Sequence, residues 1–327
     1  MADTSMSGRP TIAFGPSSDA PSWDWVGVRT ARALEGTFNV TLFDDFASIP
    51  DASIIVMVKT QPPRAFVEAA LARGIKLVYL PIDRYHGAED IAADAWLLGA
   101  CSLVLSHSRA LLPWLEPHAR HVGFIEHEAI HALEPLADYR LEGFVLWVGG
   151  CEHLPHVVAW LQANDIGAEV TLLTNDRSKT ARVQAHLRAH ALGLRLEFGD
   201  GTVNGHRLAT WSEEAQERLM RSCRAAIDIK GTDFNQATKP PTKAQQFIAS
   251  GIPFACNADS SIADYLTWRG FDVADVQDPD RLFSRDYFDE TRTFAPKLRR
   301  WTSANAVGET YRDAFESLLA MPAHPEA

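Results

Sequence analysis

Short apolar runs alternate with amphipathic stretches along the first part of the chain. Apolar runs of this length, bounded by polar or glycine-containing turns, are typical of strands that are buried on both faces. They predict strands at residues 11–15, 39–43, 53–58, 76–81, 101–106 and 122–125, with helices at 26–34, 65–72 and 110–115. Such an alternation of strand and helix predicts a doubly wound parallel sheet.

A second series follows a polar, proline-containing connection at residues 131–142. The same patterns predict strands at 144–148, 170–173, 194–198, 225–230 and 254–256, with helices at 155–162, 180–191 and 243–251. The tail at 304–319 has the spacing of an amphipathic helix. The predicted fold class is therefore α/β, with two Rossmann-like doubly wound parallel-sheet domains that face a cleft, where small-ligand sites concentrate.

The stretch at residues 225–257 predicts the first binding region. An apolar strand leads into a polar loop at 231–242, and Thr242 is expected to cap a helix that begins at Lys243 and ends at Gly251. Ligands of open α/β sheets bind beyond the carboxyl ends of strands, where helix N-termini offer N–H groups and a positive dipole. This loop is expected to be such a place.

Composition narrows the classes of function. A chain of 327 residues is comfortable for two domains, and a formal net charge of −11 argues against nucleic-acid partners and anionic membranes. The four cysteines stand singly, which favours a reducing compartment over a disulfide or zinc framework. Since no apolar run reaches the length of a transmembrane helix, we expect a cytoplasmic protein with no transmembrane segment.

The sequence KAQQFIASGIPFA, which begins at Lys243, resembles a signature of retaining, glycogen-synthase-like GT-B glycosyltransferases of the family 4 kind. The preceding stretch at 211–231 is similar to the amphipathic helix and strand before that family's donor-binding loop. Aligned on Ala249, Ser250 and Gly251, the family's paired glutamates fall on Lys239 and Gln246, so both carboxylates are replaced.

This resemblance implies a domain plan and a reaction. Residues 1–135 would form an acceptor-side domain and 136–295 a donor-binding domain, with 296–327 crossing back to the first. The chain would transfer a sugar from a nucleotide-sugar, with retention and without a bound metal, to an unknown sugar, lipid or protein acceptor. Because the glutamates are replaced, the catalytic candidates are Asp233, His127 and Gln246, and a catalytically silent nucleotide-sugar binding protein is the alternative.

The loop after the first strand is the first of several loops expected to line the cleft. It lacks the GxGxxG fingerprint, which argues against a nicotinamide or flavin cofactor, and no other cofactor is expected. Gly15 with the backbone N–H groups of Ser17 and Ser18 would bind donor phosphate or sugar. Ser22 and Trp25 would lie on the acceptor side, unless the tryptophan only anchors its helix to the core.

Other loops are expected on the same face because each follows a predicted strand. Asp83, Tyr85 and His107 are assigned to the acceptor side. The remaining donor-binding candidates come from the second domain, where lysines would contact the diphosphate: Gly149, Gly150, Lys230, Asn235, Lys239, Thr242 and Lys243.

One motif predicts a different chemistry. Residues 127–131 read His-Glu-Ala-Ile-His, which on a helix places two imidazoles on one face for zinc, with Glu128 as general base. A zinc metalloprotease is therefore a further alternative. Against it, Pro135 cuts any helix short, and no third histidine follows at the required spacing. Otherwise His127 ends the last strand of the first domain and faces the cleft.

Overall fold

The computed structural model describes residues 8–174, 201–203 and 206–322, which form two compact units. Unit 1 comprises the described residues up to Glu128, the segment Asp233–Pro240, and the described residues from Trp301 on. Unit 2 comprises the described residues within Ala129–Thr232, together with Pro241–Arg300. The predicted helix at 180–191 and strand at 194–198 lie outside the described residues.

Unit 1 is built on a parallel sheet. Its strands are β1 (Thr11–Gly15), β2 (Asn39–Leu42), β3 (Ile54–Val58), β4 (Lys76–Leu80), β5 (Leu103–Ser106) and β6 (Val122–Phe124). They lie in the order β2-β1-β3-β4-β5-β6, and every pair runs parallel. The predicted doubly wound parallel sheet is confirmed.

Helices cover both faces of this sheet. They are α1 (Arg29–Leu34), α2 (Arg64–Ala72), α3 (Ala88–Ala93), α4 (Ala95–Ala100) and α5 (Leu112–Leu115). A π-helical turn, Trp23–Val28, leads into α1, and a 3₁₀ turn, Arg109–Leu111, leads into α5. Helices α3 and α4 were not predicted.

The core of unit 1 has two layers because β3 is buried along its whole length and sends alternate side chains to opposite faces. Ile54, Val56 and Val58 belong to one apolar cluster, while Ile55 and Met57 belong to the other. The first cluster also contains Tyr311 and Phe315 of the C-terminal helix, whose bounds are Ala304–Ala320. That helix therefore supplies part of the core of unit 1.

Unit 2 contains a second sheet. Its strands are β7 (Val145–Gly149), β8 (Val170–Thr174), β9 (Gly201–Val203), β10 (His206–Thr210), β11 (Ala225–Asp228), β12 (Phe254–Cys256) and β13 (Ala274–Asp275). Their order is β13-β12-β11-β7-β8-β10-β9, and the described pairs are parallel except for β9 with β10. Strands β9, β10 and β13 were not predicted.

The other helices in the described ranges are α6 (Leu154–Ala163), α7 (Glu213–Ser222), α8 (Phe234–Ala237), α9 (Thr242–Ala249), α10 (Ser261–Trp268), α11 (Pro279–Leu282), α12 (Arg285–Thr302) and α13 (Ala304–Ala320). Thr242 is itself the first residue of α9, and Pro241 occupies the N-cap position, so the predicted cap at Thr242 is wrong by one residue. Gly251 follows α9 with a φ of 67°, a conformation that glycine adopts readily.

Among the described strands, the order of each sheet reverses between two central strands. In unit 1 the chain goes from β1 to β2 on one side and then to β3 on the other, so the reversal lies between β1 and β3. In unit 2 it lies between β7 and β11. Open α/β sheets bind ligands outside the carboxyl ends of the strands at these points.

Within the described ranges, no helix combines the length and the apolar character needed to cross a bilayer.

Candidate functional site

A pair of glycines follows β7 at the point where the strand order of unit 2 reverses. Gly149 ends β7, and Gly150 precedes a 3₁₀ turn, Cys151–His153, that leads into α6. A Cβ at Gly149 would lie 2.5 Å from the Trp147 ring and 3.0 Å from Lys243 Nζ. Glycine at this position therefore leaves room for the Trp147 ring, and a Cβ there would also crowd the Lys243 ammonium group.

Asp228 ends the neighbouring strand β11 and is buried. Its Oδ2 lies 2.8 Å from Lys230 Nζ, and its Oδ1 lies 3.5 Å from Lys243 Nζ. Lys243 Nζ also lies 5.0 Å from the centroid of the Trp147 ring, in cation–π range. We call Gly149, Trp147, Asp228, Lys230 and Lys243 the switch-point cluster.

The pKa of Asp228 records the balance of forces in this cluster. Burial penalises the carboxylate and is the largest effect, but the ammonium groups of Lys230 and Lys243 outweigh it and hold the pKa at about 2. Asp228 is therefore ionised at neutral pH. It fixes two long, flexible side chains in one place.

The arrangement favours an anionic ligand. Within the cluster two ammonium groups face one carboxylate, so its formal charge is +1. Lys243 also lies in the first turn of α9, where backbone N–H groups and the helix dipole favour negative charge. These are the elements of a phosphate site, and Lys230, Lys243 and Gly149 were all predicted to contribute to one.

The loop after β1 differs from the prediction. The N–H of Ser17 donates to Phe43 O (3.0 Å), and its hydroxyl donates to Asp44 (2.8 Å). The N–H of Ser17 is therefore not available to bind donor phosphate or sugar as predicted, because the carbonyl of Phe43, the residue after β2, accepts it. A Cβ at Gly15 would lie 2.5 Å from Phe43 O, so this glycine serves the same close contact.

The other candidates of that loop differ in exposure. Ser18 is exposed and Ser22 is half-buried. Trp25 packs against the first core cluster of unit 1, as expected if it anchors its helix.

Two strand ends of unit 1 carry unusual backbone conformations. Lys59, after β3, has a φ of 61°, and Ile82, after β4, has a φ of 55°. Left-handed backbone is rare for a lysine and an outlier for a β-branched isoleucine, and it costs on the order of 1–3 kcal/mol at each residue. Lys59 Nζ pairs with Asp83 Oδ1 at 2.7 Å, which helps to lower the pKa of Asp83 against the opposing effect of burial.

The segment Asp233–Pro240 belongs to unit 1, although it follows a strand of unit 2. Asn235 Nδ2 donates to the carbonyls of Asp83 and Tyr85, at 3.2 Å each. Lys239 acts electrostatically on Asp83. Asn235 and Lys239 were predicted to bind the donor with Lys230 and Lys243, but the structure groups them with the candidates Asp83 and Tyr85.

The three catalytic candidates have structural contacts. Asp233 caps α8 by accepting from Gln236 N at 3.1 Å. Gln246 is buried in α9, and its Oε1 accepts from Gln216 Nε2 at 3.3 Å. His127 is buried and stacks on His107 with 4.1 Å between ring centroids.

The HExxH motif does not form a helix. Residues 125–129 have no regular secondary structure, and 130–131 form a turn. The Glu128 carboxylate is bound at two points by Arg29, with Nε to Oε2 at 2.8 Å and Nη2 to Oε1 at 2.5 Å. Without a helix the two imidazoles do not share a face, so the metalloprotease hypothesis loses its structural basis.

Sequence reasoning missed Asp228 and Trp147 in the cluster. Asp228 was treated as part of an apolar strand, although a carboxylate at a buried strand end, followed two residues later by a lysine, is a detectable signal. Trp147 gave no such signal, because a tryptophan in an apolar run also fits an ordinary core.

Comparisons with known proteins bear on the fold. No protein-family model and no curated protein sequence matches this chain. Among solved structures, an α,α-trehalose 6-phosphate synthase from Burkholderia multivorans is similar with a TM-score of 0.64 and 10% identity, over 96% of this chain and 97% of that one.

Two further solved structures are similar to this chain over nearly its whole length. A glycosyltransferase from Rickettsia africae has a TM-score of 0.61 and 10% identity, over 97% of this chain and 100% of that one. AviGT4, a glycosyltransferase involved in avilamycin A biosynthesis, has a TM-score of 0.55 and 14% identity, over 96% of this chain and 99% of its own. The chain therefore has the GT-B-like α/β fold of these structures.

Proposed function

We propose that this protein is a glycosyltransferase that uses a nucleotide-sugar donor and binds the donor's diphosphate at the switch-point cluster. The observation that carries the proposal is the cluster itself, in which Asp228 holds the ammonium groups of Lys230 and Lys243 at the strand reversal of unit 2. The similarity in fold to two glycosyltransferases supports the class of reaction.

The cluster suits the departure of the diphosphate. When the bond between the anomeric carbon and the diphosphate oxygen breaks, the electron pair passes to that oxygen and negative charge develops there. Fixed cations beside that oxygen stabilise this charge and do not have to reorganise during the reaction. The proposed reaction is retaining and independent of a bound metal, with the lysines supplying the positive charge.

A catalytically silent binding protein is the second candidate, and one observation favours it. Asp233 caps a helix, and Gln246 accepts a hydrogen bond from Gln216, so both polar substitutes for the glutamate pair have structural roles. Both candidate functions use the same donor site.

The donor site is tested by calorimetry with a panel of nucleotide-sugars and with the free nucleosides. We expect Lys243→Ala to weaken nucleotide-sugar binding by about tenfold or more, because a hydrogen bond to a charged group contributes about 1.5–3 kcal/mol. Nucleoside binding should change little, since the nucleoside lacks the diphosphate. Lys297→Ala is the matched control, because Lys297 is an exposed lysine of unit 2 on α12.

Equal losses for the nucleotide-sugar and the nucleoside would remove Lys243 from the diphosphate site. A panel in which no nucleotide-sugar binds the native protein would contradict both candidate functions. The melting temperature of each variant is recorded, since removing Lys243 leaves the buried Asp228 with one cation fewer.

A further inference from the structure

An exposed tryptophan stands at the carboxyl edge of the sheet in unit 1. Trp114 lies in α5, beyond the end of β5, and is 45% exposed, whereas its neighbour Leu115 is fully buried. Its ring meets Phe234 edge to face, with 5.2 Å between centroids. The two rings form an aromatic surface that the described residues leave partly open to solvent.

Phe234 is held in place by polar contacts. Its segment is fixed by Asn235, whose side chain donates to the carbonyls of Asp83 and Tyr85. Thr238 Oγ1 donates to Phe234 O at 2.8 Å, and Asp233 caps the same short helix. The aromatic surface is therefore pre-organised.

Charged groups are linked to this surface through Asn235. Asn235 follows Phe234 in the chain and donates to the backbone carbonyl of Asp83, whose carboxylate pairs with Lys59. Both side chains are more than a third exposed. Lys59 and Ile82 hold left-handed backbone on the two strand ends that carry this ion pair, and conformations of this kind cluster at ligand sites.

We propose that Trp114, Phe234, Lys59 and Asp83 form a saccharide subsite. A pyranose ring presents an apolar face of C–H groups that packs on an indole ring, and its hydroxyls both donate and accept hydrogen bonds. The carboxylate of Asp83 accepts from such hydroxyls, and the ammonium group of Lys59 donates to them. The two rings thus offer a stacking surface, and the ion pair linked to them through Asn235 offers charged hydrogen bonds.

The charges distinguish a saccharide from an apolar ligand. A lipid chain or a hydrophobic aglycone that covered the aromatic surface would remove water from Asp83 and Lys59 and offer no hydrogen bonds in its place, which is costly. The hydroxyls of a saccharide take over the hydrogen bonds that these two side chains make to water. The role of the subsite as the acceptor subsite rests on the proposed function and gives it an acceptor class: a carbohydrate hydroxyl.

The test uses the indole N–H signals of the full chain in a ¹⁵N–¹H correlation spectrum, with no nucleotide present. Trp114→Phe identifies the Trp114 signal, and Trp268→Phe identifies that of Trp268, which is 44% exposed in unit 2 and serves as the matched control. Methyl pyranosides and disaccharides are titrated to concentrations on the order of 10 mM, where weak binding is measurable. We expect at least one to shift the Trp114 signal in a saturable way and to leave the Trp268 signal in place.

The contribution of the charged residues to the subsite is tested by Asp83→Asn. We expect this variant to bind the same saccharide about tenfold more weakly, because it loses a charge-assisted hydrogen bond. The proposal is overturned if no saccharide shifts the Trp114 signal, if both tryptophan signals shift alike, or if Asp83→Asn leaves the affinity unchanged. Saccharide binding without any nucleotide-sugar binding would retain the subsite and remove the transferase function. Nucleotide-sugar binding through Lys243 without a shift of the Trp114 signal would retain the donor site and remove the saccharide subsite.

Discussion

The stacked pair of His107 and His127 shows how burial sets the charge state of single residues in unit 1. The ring centroids are 4.1 Å apart, and His107 Nε2 lies 3.0 Å from the hydroxyl of Tyr311 on α13. Burial lowers the pKa of both imidazoles, and the neighbouring imidazole lowers that of His107 further. Both rings are therefore neutral at pH 7, which suits a packed core better than a site for acid–base chemistry at that pH.

The pair predicts a loss of stability in mild acid. Burial lowers the pKa of His127 to about 4, whereas an unfolded histidine titrates near 6.5, so the unfolded state binds more protons between these values. This contribution to the free energy of unfolding is fully present above pH 6.5 and is lost as the pH falls towards 4. The loss at pH 5 is about 2 kcal/mol. Urea unfolding at pH 7 and pH 5 measures it.

His127→Gln is the matched variant for that experiment because it removes the titrating group and keeps a polar side chain. Its unfolding free energy should depend less on pH over the same interval than that of the native protein. An unchanged pH dependence in this variant would show that other groups control the acid response.

At the scale of elements, strands were predicted well because a strand buried on both faces leaves a local record. Strand β3 is an example, since all of Ile54–Val58 is apolar and buried. Helix α12 was missed because its charged residues and the internal Pro296 mask its buried side. Its buried residues do have helical spacing: Tyr287, Phe288, Thr291, Phe294, Ala295, Leu298 and Thr302.

Helix α8 shows what sequence position alone does not determine. Its segment was assigned to donor binding because it follows β11, but tertiary contacts place it in unit 1, through Asn235 and through the contact between Phe234 and Trp114. Contacts between residues more than a hundred positions apart leave no local pattern in one sequence.

The cap of α8 gives a prediction for Asp233. Asparagine caps helices about as well as aspartate, whereas alanine does not, at a cost of about 0.5–2 kcal/mol. If Asp233 only caps the helix, Asp233→Asn should keep native stability and nearly native turnover, while Asp233→Ala should lower stability. Unfolding and turnover of both variants are compared. A large loss of turnover in Asp233→Asn, with stability intact, would instead assign the carboxylate to catalysis.

At the scale of the molecule, the local and the overall charge oppose each other. The chain carries a formal charge of −11, whereas the switch-point cluster carries +1. Salt screens charges beyond about 8 Å at physiological ionic strength, so the cations in contact with a diphosphate dominate its binding. The sequence analysis named these lysines as candidates for contact with the diphosphate. It did not identify Asp228 as their shared partner, because this contact depends on how β11 and α9 pack.

Turnover separates the two candidate functions of the whole molecule. A transferase must release a nucleoside diphosphate, and we expect release with a nucleotide-sugar that binds through Lys243. Release should rise when a saccharide that shifts the Trp114 signal is added, because the acceptor hydroxyl then replaces water.

Lys243→Ala should lower turnover by about a hundredfold, as loss of one fixed donor to a developing anion does elsewhere, and Lys297→Ala should not. Release of nucleoside diphosphate is measured with each donor, with and without saccharide. Tight and specific donor binding with no release under any of these conditions would identify a binding protein, in which the cluster holds a nucleotide-sugar without breaking it.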